Sequence, residues 1–379
     1  MLPAVLLASV VLGACGGDDG DDVDAAEVVR GYADGVLASY QASLASATAM
    51  DTAIDAFLAA PSDVTMTAAK DGWLAARDDY GVTESFRFYD GPIDNAETGT
   101  EGLINAWPMD EGYIDYVEGD PEAGIINDPA TYPAIDADLL TSLNEAGGEA
   151  NIATGWHAIE FLLWGQDLSA DGPGARPATD YTTAANADRR ATYLSVVSDL
   201  LVAHLDELVQ AWSDGDDTYR AEFLDLPTDE ALTKIITGAG ELSRGELAGE
   251  RMSVAFFGRS QEDEHSCFSD NTTRDIVNNA SGVAMVLTGD FPTGARSPSV
   301  IDLVRAEDAE LADRLTDQLS ASVAATEAIP APFDQILVEG LPDTDPARQS
   351  VAGAITDLED QTDTIVAAAK AIGVTIEVT

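Results

Sequence analysis

Cysteine occurs only at positions 15 and 267 of this chain of 379 residues. With Cys15 committed to the chemistry described below, no disulfide can form within the mature chain, and packing must hold the body together. Basic residues are scarce too. Against 69 Asp and Glu stand 18 Lys and Arg, for a formal charge of −51, and lysine occurs only at Lys70, Lys234 and Lys370. A surface of that sign repels nucleic acid and anionic lipid, so neither is expected as a partner, whereas metal cations are. Adaptation to a salty medium, or a mutational bias towards Ala, Asp, Gly, Thr and Val, would give the same total without any ligand. No apolar run reaches the roughly 20 residues that cross a hydrocarbon core of about 30 Å. No apolar-polar alternation persists for long, so no extended sheet is expected.

What is present at the N-terminus is a short apolar stretch that ends in small residues and a cysteine, Leu12-Gly13-Ala14-Cys15, followed at once by the acidic run Gly16 to Asp22. This is a bacterial lipobox, and it predicts a cleaved signal peptide over 1–14, lipidation of Cys15 and a solvated tether over 15–26. The expected location is the cell envelope, lipid-anchored and facing the periplasm or cell exterior. With Gly16 and no Asp after the cysteine, the outer membrane is favoured in a Gram-negative cell.

Beyond the tether the apolar residues recur at helical spacing. Tyr32, Val36, Tyr40 and Leu44 begin a stripe that continues to Leu58 and stops at Pro61. A second helix is predicted from Ser62-Asp63 to about Tyr80, with Ser62 available as N-cap. Residues 91–133 are rich in X-Pro turn signals, 138–164 return to helical spacing, and 168–186 form a Gly/Pro-rich connection. Tyr193, Val197, Leu201, His204, Leu205, Leu208 and Trp212 make one apolar face, with His204 read as a histidine at the boundary of the core. Further helices are predicted over 230–257, 300–328 and 347–372. The fold class is therefore all-α, two antiparallel helical-bundle halves, 27–165 and 166–379, with 27–375 together forming one domain.

Only three histidines occur in the chain, and one stands in Gly155-Trp156-His157-Ala158-Ile159-Glu160. Three apart on a helix, His157 and Glu160 point from one face and could share a metal ion or a proton. A core histidine bonded to its own helix neighbour is the plainer alternative. A second cluster, Glu264, His265, Cys267 and Asp270, gathers acid, imidazole and thiol. Residues two apart on a helix do not face each other, so a nucleophilic Cys267–His265 pair is not expected. This loop is expected to pack under the His157 helix, with Ser269, Asp270 and Asn271 capping a helix from about Thr272.

The run 151–167 around that Gly-x-His-x-x-Glu motif, with 172–177 and Asp180-Tyr181, resembles the imelysin family of bacterial envelope proteins, in particular its iron-regulated branch. The resemblance extends through Trp73 to Phe88, Gly91 to Asp94, Ile104 to Pro108, Ile114 to Val117 and Gln261 to Thr272. It implies a helical fold, an envelope location, a link to iron uptake with an envelope transport partner, and a divalent or ferric ion as cofactor, iron before zinc. Ligands beyond His157 and Glu160 would come from the matching stretches, where Glu84, Asp94, Asp110 and Glu111 are candidates; each also reads as an ordinary surface acid, and Glu84 could pair with Arg87 instead. The family was first described as peptidases, yet the His-Glu-x-x-His signature occurs nowhere in this chain. A metal-binding lipoprotein, a metallopeptidase using His157 and Glu160, and a helical scaffold all remain open at this point, the first favoured.

Overall fold

The computed structural model describes residues 23–169, 171–292 and 294–379. The signal segment and Cys15 lie outside the described residues. In chain order the helices are α1 (Ala25–Ala59), α2 (Asp63–Gly81), α3 (Glu101–Ile104), α4 (Glu111–Ile114), α5 (Ala137–Leu143), α6 (Gly155–Trp164), α7 (Ala187–Trp212), α8 (Tyr219–Asp225) and α9 (Thr228–Glu241). A π-helical stretch, Leu242–Val254, leads from α9 into α10 (Ala255–Gly258). Then come α11 (Thr272–Thr288), α12 (Val300–Glu307), α13 (Ala309–Glu327), α14 (Asp334–Leu337) and α15 (Pro346–Ala371). Among the described residues the only sheet is a two-residue antiparallel pairing of Asp290–Phe291 with Gly294–Ala295. The fold is all-α, as expected, and no described helix is long and apolar enough to cross a membrane.

Local chemistry sets most helix ends. Asp24 accepts from the backbone N–H of Ala26, so α1 begins at Ala25 and the last two residues assigned to the tether are helix. Ser62 and Thr65 form a reciprocal capping box at the start of α2. Tyr32, Val36, Tyr40, Ala47, Met50, Ile54 and Phe57 bury one face of α1, against α2 and α7.

Two predicted helices are each broken in two. The 138–164 segment is α5, a turn and then α6, because Gly147 and Gly155 take left-handed φ values of +86° and +84°. At Gly155 a side chain would also collide with the Ile104 carbonyl, so the motif glycine lets α6 start hard against α3. The 300–328 segment divides at Asp308, whose N–H ends α12 on Val304 O while its carboxylate caps α13 through Leu311 N–H, 3.0 Å away.

The larger apolar core runs from Val28 to Ile376 and takes side chains from both sides of position 166. A smaller core, including Leu247, Phe256, Phe333, Ile336, Val351 and Leu358, packs α14 and part of α15 against the π-helical stretch. All ten residues of α6 are buried. A helix so placed can keep polar side chains only where other elements satisfy them.

Candidate functional site

Two polar side chains of α6, His157 and Glu160, are buried, and the loop 264–270 together with α11 supplies their partners. Glu160 Oε1 accepts from the N–H and hydroxyl of Ser269, at 2.9 and 2.7 Å, and Oε2 lies 3.0 Å from His157 Nδ1. The other face of the imidazole meets a second histidine: His157 Nε2 is 3.2 Å from His265 Nε2. His265 Nδ1 is 2.8 Å from Asp275 Oδ2, which also accepts from Ser266 Oγ at 2.6 Å and from Arg77 at 3.0 Å. The result is a line of side chains, Glu160, His157, His265, Asp275 and Arg77, drawn from α6, the loop, α11 and α2. Trp107 packs against His157 with ring centroids 4.7 Å apart and ring planes tilted by 58°.

Burial dominates the electrostatics. It pushes the His157 imidazole well below its usual range, aided by His265, and takes His265 down to about 4, aided by Arg251. Burial raises the Glu160 carboxyl to about 8. Asp275 is opposed by burial too, but Arg77 and His265 outweigh it and hold the carboxylate well below the ordinary range. At neutral pH both rings are therefore neutral, Asp275 is ionised, and Glu160 holds its proton.

One proton arrangement satisfies the contacts from Glu160 to Asp275, while Arg77 Nη2, 3.3 Å from His265 Nδ1, is held by Asp275 instead. Ionised Asp275 takes Nδ1–H from His265, which leaves His265 Nε2 bare. That nitrogen accepts Nε2–H from His157, so His157 Nδ1 is an acceptor and takes the Glu160 proton.

The two facing imidazoles are the residues of this line that could hold a metal ion. Both Nδ1 atoms are backed by carboxylates, the arrangement that orients imidazole ligands and raises their basicity, and the two Nε2 atoms are close enough to bond one ion at the usual 2.0–2.1 Å. A cavity of about 510 Å³, lined by Glu101, Asn105, Trp107, Glu246 and Arg251 among others, reaches His265. Its acidic wall favours entry of cations.

Not all the expected donors converge here. Glu160 stands behind His157, on its Nδ1 side, with both oxygens engaged. Glu84 is buried in an ion-pair network, 2.7 Å from Arg251 and 2.6 Å from Arg87, and accepts from Asn105 at 2.9 Å. The arginines outweigh burial and hold its carboxylate far below the usual range. Asp94 ties a turn by accepting from the N–H groups of Tyr89 and Gly91. Asp110 is exposed, while Glu111 is half-buried and its pKa is raised mainly by that burial. None of these four bonds either histidine. Cys267 is buried, its thiol pushed up by burial, and both His265 nitrogens are engaged elsewhere, so no nucleophilic pair forms. The loop does pack under α6, with Phe268 against Phe161. Asn271 occupies the N-cap of α11, but its amide donates to Asp275 rather than accepting from the helix. His204 is buried on the apolar face of α7.

Arg77 and Asp275 were not foreseen as site residues. The scarcity of histidine was the available signal, since two of the three lie in the motif-bearing stretches.

A family model described as Imelysin matches residues 36–365. Iron-regulated protein A of Synechococcus elongatus is 24% identical over 318 residues, covering 81% of this chain and 77% of that one. Two crystal structures share the fold. A candidate iron-regulated protein A precursor from Parabacteroides distasonis aligns with a TM-score of 0.70 and 20% identity, covering 92% of this chain and 97% of that one. An imelysin-like protein from Psychrobacter arcticum aligns with a TM-score of 0.67 and 14% identity, covering 93% and 98% respectively.

Proposed function

The chain belongs to the imelysin family, and on that premise we propose that it is a lipid-anchored envelope protein that binds a metal ion, iron in the first place, in the course of iron acquisition. The observation that carries this reading is the pair of facing imidazole nitrogens, His157 Nε2 and His265 Nε2, 3.2 Å apart and each backed by a carboxylate. The name of the Synechococcus relative supports the choice of iron, and the lipobox at Cys15 supports the anchor.

His157 and His265 would hold the ion, with Glu160 and Asp275 orienting them. Nitrogen ligands of this kind suit ferrous iron and zinc. Loading requires the proton shared between the rings to leave. Glu160 then passes its own proton to His157 Nδ1 and becomes the ionised partner of an imidazole whose Nε2 is bare. Glu145, Glu149, Glu250 and Asp263 line the approach as carboxylates that attract the cation, whereas Glu101 and Glu246 are paired with Arg87 and Arg251.

A metallopeptidase would need a carboxylate placed to take a proton from water on the ligand side of the ring. Glu160 is on the opposite side, bonded to Nδ1 and Ser269. The site is therefore read as one that binds rather than turns over.

Calorimetric titration of chelator-treated protein with ferrous and zinc ions tests the proposal. Binding by the wild type that is abolished in both His157→Ala and His265→Ala, with helical circular dichroism retained, is the expected result. Wild-type affinity in either variant would overturn it.

A further inference from the structure

A second group of carboxylates lies outside the histidine line. Asp167 follows the end of α6, Asp270 closes the turn after Cys267–Ser269, and Asp334 opens α14; one carboxylate oxygen from each lies within 4.8 Å of the other two. Glu264 is a neighbour that interacts electrostatically with Asp334 and Asp270. Two of the four are deeply buried, Glu264 at 0% and Asp334 at 3% exposure.

The hydrogen bonds are divided in a telling way. Asp167 Oδ1 accepts from Ser169 N–H at 2.9 Å, Asp334 Oδ2 from Gln261 at 3.2 Å, and Glu264 Oε2 from Thr272 at 2.8 Å. Their other oxygens, Asp167 Oδ2, Asp334 Oδ1 and Glu264 Oε1, together with Asp270 Oδ1, are buried and have no donor. Three carboxylates are thus each gripped through one oxygen while the second is left bare, and among the described residues no arginine, lysine or histidine forms an ion pair with any of the four acids. Either shared protons or a bound ion must compensate such a group. Burial and mutual repulsion push Asp167 up to about 6 and Asp270 up to about 7, the direction expected where ionised carboxylates crowd one another without a counter-charge.

We infer that Asp167, Asp270, Asp334 and Glu264 form a binding site for a hard divalent cation of the calcium type. The donors are oxygens only, with no imidazole or thiol, and flexible carboxylate oxygen ligation is what calcium prefers. Its position gives it a structural task. It joins the end of α6, the loop that carries His265 and Ser269, and α14, whose Ile336 and Leu337 belong to the smaller core. Ser269 is the residue that bonds Glu160, so the ion would clamp the loop on which the histidine line depends. The inference does not rest on the reading of His157 and His265, because the two sites use different donors and select different ions.

The test is calorimetric titration with calcium, and thermal melting with EGTA or with calcium, of full-length mature protein, Asp167→Asn, Asp334→Asn and His157→Ala. Wild type and His157→Ala are expected to bind calcium and to melt higher with it. Affinity in the two Asn variants should fall at least about tenfold. In EGTA those two should melt at or above wild type, because each removes one repelling charge; Asp167 is half-buried, so its variant keeps the fold in any case. A wild type that binds no calcium, or Asn variants that bind it as well as wild type does, would overturn the inference.

Discussion

His157 and His265, 108 residues apart in sequence, meet Nε2 to Nε2 at 3.2 Å, and each turns its Nδ1 to a buried carboxylate. The geometry ranks the substitutions. Replacing either ring by Ala removes a ligand, whereas Glu160→Gln keeps both rings and removes only the charge behind one of them. Affinity for ferrous or zinc ions is expected to vanish in the Ala variants and to fall about 10- to 100-fold in Glu160→Gln. Calorimetry on the three variants would sink this ordering if Glu160→Gln proved the most damaging, since Glu160 would then be a direct ligand.

Proton release is the second expectation. Three hydrogen bonds in the line need three protons, and an ion between the rings can replace only the one they share. Uptake should therefore release about one proton per ion. Titrations at pH 7 in buffers of differing ionisation enthalpy give the number directly. A value near zero would mean that the rings already face each other bare.

How much of this was legible in the sequence depended on the kind of signal. The stripe from Tyr32 to Phe57 and the capping residue Ser62 are local, and helix α1 and the start of α2 follow them closely. Spacing alone missed the breaks at Gly155 and Asp308, because a left-handed φ or a capping carboxylate can interrupt a helix while the apolar period on either side is kept. In the site, His157 and His265 stood out because histidine is rare. Asp275 did not, nor could Asp94 and Asp110 be set aside, because one acid among 69 carries little information. Which acid is buried beside which base is decided by contacts between distant segments.

Asp115 is a stability prediction of this long-range kind. Its carboxylate accepts from Arg176 at 2.7 Å and from Arg190 at 2.6 and 2.9 Å, all three side chains being buried. Asp115→Asn would leave the Arg190 guanidinium without its bonded counter-charge and Arg176 with Asp180 alone, 3.1 Å away, at a cost of about 3–5 kcal/mol, read from urea unfolding. Burial raises the pKa of Asp115, but the two arginines outweigh it and hold the group below its ordinary value. A depressed carboxylate contributes stability that is present above the unfolded value of about 3.9 and is lost as pH falls through the folded one. The variant should therefore show a shallower loss of stability below pH 4 than wild type. Equal slopes would mean that Asp115 is not a titrating anchor.

Anchoring is tested at Cys15. Cys15→Ser should abolish fatty-acid labelling and move the protein from the membrane to the soluble fraction or leave it uncleaved. Equal labelling of variant and wild type would remove the lipobox from the argument.

Salt should stabilise the body. The formal charge is −51 and most acids have no basic partner, so the folded state carries repulsion that the expanded chain relieves. The screening length falls from about 30 Å at 0.01 M salt to about 10 Å at 0.1 M. Surface acids further apart than the second distance then cease to repel, while buried pairs such as Asp115 with Arg190 are shielded from the solvent ions and change little. The melting temperature should thus rise with sodium chloride over that range. EGTA must be present throughout, so that divalent ions bound at Asp334 and its neighbours do not mask the effect. A flat or falling melting temperature would show that the acids are spaced widely enough for their repulsion not to matter, and the charge would then bear on solubility alone.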